Sequence, residues 1–369
     1  MRAIAVYILI LCASVSASAQ KVSGSVSQAE MEKIYAEVKT PYKYGLVMVP
    51  QDKEHKMDCP TVFKKGKDWY MTYLIFSGRG YETWLAKSKD LLQWENLGKI
   101  LSFADAGHWD DNQKAGYNAL LDIKWGGSYG VRPFDGKYWM SYFGGKEQGY
   151  EVEPLSIGMA YTRQHPSIVQ EWNRLEKPVL SSSDNDVRWW ENRNKLFKST
   201  VIEDQKRLTG HRFVMYYNAV GDSLANNKKT RWYERIGMAV SDDMIHWKRF
   251  NKNPVVHHPA GITGDAVIQQ MGNHYVMFYF GAFWKDRKGS FNRFAVSKDL
   301  VNWTDWAGDN LIESSEKYDA LYAHKSFVLK YKGVVYHFYC AVNKQDQRGI
   351  AVATSKDLGK SKVNFVTEN

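Results

Sequence analysis

A short pattern that occurs five times leaves this 369-residue chain few folds to adopt. A glycine is followed by a tight turn, then by alternating aromatic residues and methionine that end in tyrosine. The copies run from Gly66 to Trp69-Tyr70-Met71-Thr72-Tyr73, Gly136 to Tyr138-Trp139-Met140-Ser141-Tyr142 and Gly210 to Phe213-Val214-Met215-Tyr216-Tyr217. Gly272 to Tyr275-Val276-Met277-Phe278-Tyr279 and Gly333 to Val335-Tyr336-His337-Phe338-Tyr339 complete the set, with His337 in the methionine place. A β-rich run such as Pro60-Thr61-Val62-Phe63 or Ala266-Val267-Ile268 precedes the glycine, which supplies the positive φ a hairpin turn needs. Each copy predicts a β-hairpin.

A third strand follows each hairpin, as in Ile157-Gly158-Met159-Ala160, Ile236-Gly237-Met238-Ala239 and Ile350-Ala351-Val352-Ala353. A Ser-x-Asp-(Leu/Met)-x-x-Trp turn, seen from Ser88 to Trp94, Ser241 to Trp247 and Ser297 to Trp303, then leads into a fourth. The serine and aspartate suit a turn closed by side chains on backbone N–H groups, and the tryptophan suits a clamp on the outer strand. Four-strand units repeated at intervals of about 60 to 80 residues predict an all-β fold, a five-bladed β-propeller of four-stranded antiparallel blades. Radial stacking of such blades leaves few open sheet edges. Five blades fill residues 57–369 as one domain with no linker.

The segments ahead of the repeats read differently. Arg2, the apolar run Ala3 to Leu11 and Ala17-Ser18-Ala19 before Gln20 mark residues 1–19 as a signal peptide, so the mature protein is expected in the periplasm or secreted. No later stretch reaches the roughly 18 to 20 apolar residues that span a bilayer. Residues 20–56 carry a helical stretch from Ser27 to Val38 and a run from Tyr44 to Val49, expected to add the outer strand of the last blade and close the ring. The mature chain keeps Cys59 and Cys340, too few for a disulfide scaffold. They fall in neighbouring first and last blades, where a ring-closing bridge is one reading.

The formal charge of +10, or +9 without Arg2, is compatible with anionic partners. Its 50 basic residues are interspersed with 40 acidic ones and form no phosphate-tracking stripe, so no nucleic-acid partner is expected. A solvated surface and an acidic glycan substrate both fit. The chain is read as a monomer or small homo-oligomer.

In a propeller the innermost strands all begin at the same end of the central channel. Chemistry is therefore sought in five windows: Met57-Asp58-Cys59-Pro60, Ser128 to Pro133, Phe197-Lys198-Ser199-Thr200, Thr263-Gly264-Asp265-Ala266 and Ala323-His324-Lys325-Ser326. Ionisable groups at such places are costly to bury without partners or a task.

At these windows the chain resembles the five-bladed glycosidases of glycoside hydrolase families 32, 43 and 117. Asp58 before Pro60 is similar to their first-blade Asp-Pro element. Gly130-Val131-Arg132-Pro133 is similar to their second-blade Arg-Asp-Pro without its aspartate, and Lys198-Ser199-Thr200 stands where families 32 and 43 carry an acidic glutamate. Asp265 and His324 match family 117 better. The resemblance implies a glycosidase that cleaves a terminal bond of a plant or algal polysaccharide fragment, with Asp58 as base, Asp265 as helper and His324 as acid. No cofactor is required, though some relatives hold an axial calcium. Inverting hydrolysis needs an acid and a base about 6.5 to 9.5 Å apart, which residues from different blades can supply. Glu191 competes with His324 as the acid. Arg132, Lys198 and Lys325 would suit an acidic sugar, and Trp125 and Trp189 would stack on sugar faces. Plainer roles stand beside these: Asp58 bonding its blade junction, Asp265 paired with Arg132 or Lys325, and His324 filling the ring. A non-catalytic glycan-binding propeller and a glycoside phosphorylase are the alternative functions.

Overall fold

The structure, a computed structural model, describes residues 25–103, 107–221, 233–287 and 289–366; the expected signal peptide lies outside them. The helical stretch forms as α1 (Gln28–Val38), capped by Ser27, which accepts from the Glu30 N–H while Glu30 reaches back to the Ser27 N–H. Nearly all the other regular structure is strand. After β1 (Tyr42–Met48), the first sheet is β2 (Lys56–Lys65), β3 (Asp68–Phe76), β4 (Tyr81–Ser88) and β5 (Trp94–Leu101). The second is β6 (Gln113–Asn118), β7 (Tyr138–Gly145), β8 (Leu155–Thr162) and β9 (Asn173–Arg174).

A nine-stranded sheet contains two antiparallel units. One is β10 (Leu196–Glu203), β11 (Phe213–Gly221), β12 (Tyr233–Ser241) and β13 (Lys248–Arg249). The other is β14 (Gly261–Met271), β15 (His274–Ala282), β16 (Ser290–Ser297), β17 (Thr304–Asp305) and β18 (Ile312–Glu313). The two meet through a short parallel pairing of β12 with β14. The last sheet joins β1 to β19 (Tyr322–Tyr331), β20 (Val334–Val342) and β21 (Arg348–Thr354), in the order β1-β21-β20-β19. Residues from before the repeats thus form the outer strand of the final sheet. Strand β2 packs against β19, β20 and β21, which makes first and last sheets neighbours.

The repeated residues explain the repeated geometry. Ser88 Oγ accepts from the Asp90 and Leu91 N–H groups, and Asp90 accepts from Leu92 and Gln93. Trp94 Nε1 donates to the Leu91 carbonyl at 3.0 Å. Ser241 to Trp247 and Ser297 to Trp303 repeat the arrangement. These side chains substitute for missing backbone partners, holding Leu91, Met244 and Leu300 left-handed and fully buried in all three turns.

The second unit departs from the expected pattern. Its inner strand is β6, and residues 119–137 form an excursion held by the Leu121–Val131 bridge. Gly130 to Pro133 therefore precede the hairpin in sequence without being its first strand. Cys59 and Cys340 are buried free thiols rather than a disulfide. Among the described residues no helix is long and apolar enough to cross a membrane.

Candidate active site

In four units the inner strand slips register in the windows singled out from sequence: Asp58 to Thr61, Leu196 to Ser199, Gly264 to Val267 and His324 to Phe327. Such bulges re-aim side chains. The residues within the slips take left-handed backbone at Cys59, Asp265 and Lys325. Cys59, Lys198, Asp265 and Lys325 all line one cavity of about 310 Å³. The loop before β8 contributes Glu151, the start of β12 Glu234 and the start of β21 Arg348.

Three carboxylates face this space. Glu151 sits in a loop pinned by a bond from the Gly149 N–H to the Arg79 carbonyl (2.8 Å) and from Gln113 Nε2 to the Gly149 carbonyl (2.6 Å). Burial pushes the Glu151 carboxyl above its ordinary range, with Lys325 Nζ, 3.9 Å away, pulling in the opposite direction. Glu234 and Asp265 share a donor: Asn218 Nδ2 reaches Glu234 Oε1 at 2.9 Å and Asp265 Oδ1 at 2.7 Å. Asn218 Oδ1 in turn accepts from the Asp265 N–H at 2.8 Å. Gly264 permits this assembly, since a Cβ there would lie 2.4 Å from Asn218 Nδ2 and 2.9 Å from Glu234 Oε1.

Asp58, the expected base, does not line the cavity. With the bulge turning Cys59 inward, the Asp58 carboxylate is fully buried, accepting from Lys325 Nζ (2.6 Å), Tyr81 Oη (3.1 Å) and the Cys59 N–H (3.0 Å), with Arg348 at 3.8 Å. Burial opposes its charge, but Lys325 and Arg348 hold the carboxyl well below the usual range. It is the counter-ion of two cavity cations. His324 does line the cavity, bonded through Nδ1 to the Cys340 carbonyl at 3.2 Å. Burial lowers its pKa to about 3, which favours a neutral imidazole near neutral pH. Asp58, His324 and Cys340 bring their ligand atoms within 4.8 Å of one another. Those residue types bind zinc elsewhere, but Lys325 and Arg348 already supply the positive charge at Asp58.

The remaining expectations fall outside the cavity. Arg132 is carried off on the 119–137 excursion and pairs with Glu203 at 3.3 Å. Trp125, on the same excursion, donates to Glu37 and stacks on Phe278. Trp189 donates to Asn253 and lies under the Arg235 guanidinium. Glu191 is fully buried, bonded by Arg249, Tyr217 and the Arg188 N–H. Glu234 and Arg348 each stand two residues before the isoleucine of a repeated third strand. A third strand runs parallel to the first, so its entry opens at the same end, a signal that lies outside the five windows. Glu151 occupies a loop with no place in the repeat.

No protein-family model matches the chain. Two solved structures, a complex of BT0996 with RGII and one described as a glycoside hydrolase, are each 52% identical to it, covering 93% of this chain and 99% of theirs with TM-scores of 0.90 and 0.89. Zg3597, a family 117 glycoside hydrolase produced by Zobellia galactanivorans, shares the fold at 14% identity, covering 86% of this chain and 91% of that one with a TM-score of 0.61. A β-1,2-mannobiose phosphorylase of Thermoanaerobacter sp. (strain X514) is 30% identical over 135 residues, 34% of this chain. The match spans 42% of that curated relative's length.

Proposed function

The chain belongs to the glycoside hydrolases, and from that premise we propose that it is an exported five-bladed propeller enzyme that hydrolyses the terminal bond of a plant glycan of the RGII kind. The observation that carries the reading is one cavity lined by Glu151 from one sheet unit and by the amide-linked Glu234 and Asp265 from two others. At about 310 Å³ the cavity is at the small end of ligand pockets, which favours a single terminal ring. The substrate class comes from the RGII named in the complex of the 52%-identical neighbour.

Glu151 is the proton donor: burial raises its pKa, which favours the protonated carboxyl needed for delivery to the glycosidic oxygen. Glu234 is the base that takes a proton from the attacking water, and the Asn218 amide stabilises its charged form. Asp265 orients that amide. With Glu234 acting on water rather than on the sugar, the reaction proceeds with inversion. Lys325 and Arg348 both serve Asp58, and Lys198 Nζ faces Asp265 at 3.9 Å. With Lys325 and Arg348 both committed to Asp58, the site suits water rather than phosphate as acceptor.

Glu151→Gln and Glu234→Gln should each lower kcat/KM on an RGII oligosaccharide by about 10²- to 10⁴-fold while keeping the native melting temperature. Full turnover in both variants overturns the assignment. An aryl glycoside with an activated leaving group should restore Glu151→Gln but not Glu234→Gln, because only the former loses leaving-group protonation. The anomer first released, read by proton NMR, checks inversion; retention would make Glu234 a nucleophile.

A further inference from the structure

The cavity has an apolar side that the proposed chemistry leaves unused. Phe283 lies on it and is 58% exposed, among the most exposed large hydrophobic residues described. Its backbone is left-handed at φ 58°, an uncommon state for a bulky side chain that persists only where the surroundings enforce it. The enforcement is visible. The next residue, Trp284, is buried, stacks on His258 at 3.9 Å and donates from Nε1 to the Ile262 carbonyl at 2.7 Å, while the Phe283 N–H is bonded to the Gly289 carbonyl. A phenyl ring is thus held out toward water on a rigid base.

That ring continues inward as a row. Phe283 meets Tyr322 edge-on at 6.0 Å, and Tyr322 meets His324 at 5.8 Å inside the cavity. We propose that Phe283, backed by Tyr322, is a stacking platform for the second sugar of the substrate, the residue on the leaving-group side of the scissile bond. The inference rests on the glycosidase reading above. A cavity that suits one ring obliges the rest of the glycan to leave through the mouth, and the C–H face of a sugar is the apolar surface it would bring to an exposed phenyl.

Calorimetry in the Glu151→Gln background, with an RGII oligosaccharide and with its terminal monosaccharide, tests the platform. Phe283→Ala should weaken the oligosaccharide about tenfold and the monosaccharide less than twofold, and Phe283→Trp should retain oligosaccharide affinity. Equal losses for both ligands, or none for the oligosaccharide, overturn the inference. If no plant oligosaccharide binds even with Phe283 in place, the platform falls, while turnover of an aryl glycoside by the unaltered enzyme would still uphold the glycosidase. Concentration-dependent dimerisation abolished by Phe283→Ala, with oligosaccharide binding intact, overturns it in favour of a self-association surface.

Discussion

Replacing Lys325 by methionine should expose how the Asp58 charge is tolerated and how the lysine acts on Glu151, the proposed acid. Asp58 is fully buried and Lys325 Nζ lies 2.6 Å from it, so the variant leaves a buried carboxylate with Arg348 at 3.8 Å as its remaining cation. Breaking a buried pair from one side costs about 3 to 5 kcal/mol. Arg348, Tyr81 and the Cys59 N–H stay in place, which points to the lower end, about 3 kcal/mol. For a chain of this size that is roughly 4 °C in Tm.

The pH dependence fixes the cause. In the native protein the Asp58 pKa is depressed, so the pair contributes above the unfolded value of about 3.9 and its contribution is lost as pH falls below it. In Lys325→Met burial is less opposed and the pKa rises. The difference between the two proteins should therefore be largest near neutrality and shrink as the medium is acidified. Urea unfolding at a series of pH values measures this, and Asp58→Asn in the same chain should recover most of the loss. A cost below about 1 kcal/mol, or one unchanged by Asp58→Asn, refutes the reasoning. The same substitution removes a cation 3.9 Å from Glu151 and should move the alkaline limb of the activity profile upward.

Asn218→Ala removes the hydrogen bond that favours the charged form of the proposed base Glu234 and, with it, the link to Asp265. The acid limb of kcat/KM should move to higher pH and kcat should fall about tenfold; an unmoved limb contradicts the shared-amide role. His337 is fully buried with neither ring nitrogen partnered, and burial lowers its pKa to about 3. Restoring the repeat's methionine with His337→Met should stabilise the protein by about 1 kcal/mol at neutral pH. A depressed histidine pKa lets the unfolded chain bind the proton first, so this advantage should grow below pH 6.5 by about 1.4 kcal/mol per unit. Equal urea midpoints at pH 7 and 5.5 for both proteins would count against it.

Much of the architecture is legible in the residues because it is local. Alternation in the five hairpins, the turn-forming glycines and the Ser-x-Asp turns act within a few residues, and Ser88, Asp90 and Trp94 make the bonds their types suggest. The second unit escapes this reading where locality fails, since its hairpin strands are separated by the 119–137 excursion. The catalytic assignment is less legible still. The windows around residues 58, 198, 265 and 324 do converge, yet a single bulge exchanges which of two adjacent side chains faces the cavity, turning Cys59 inward and Asp58 beneath.

Residue order alone dictates the repeating strand pattern and the end of the sheets at which polar groups gather, because hydrophobic alternation and turn chemistry are properties of near neighbours. That Glu151, Glu234 and Asp265 share a cavity while Asp58 neutralises Lys325 and Arg348 emerges only when the sheets pack together. Charge compensation depends on distances between segments hundreds of residues apart, and bulge direction depends on the partner strand. Neither is written in the spacing of one chain.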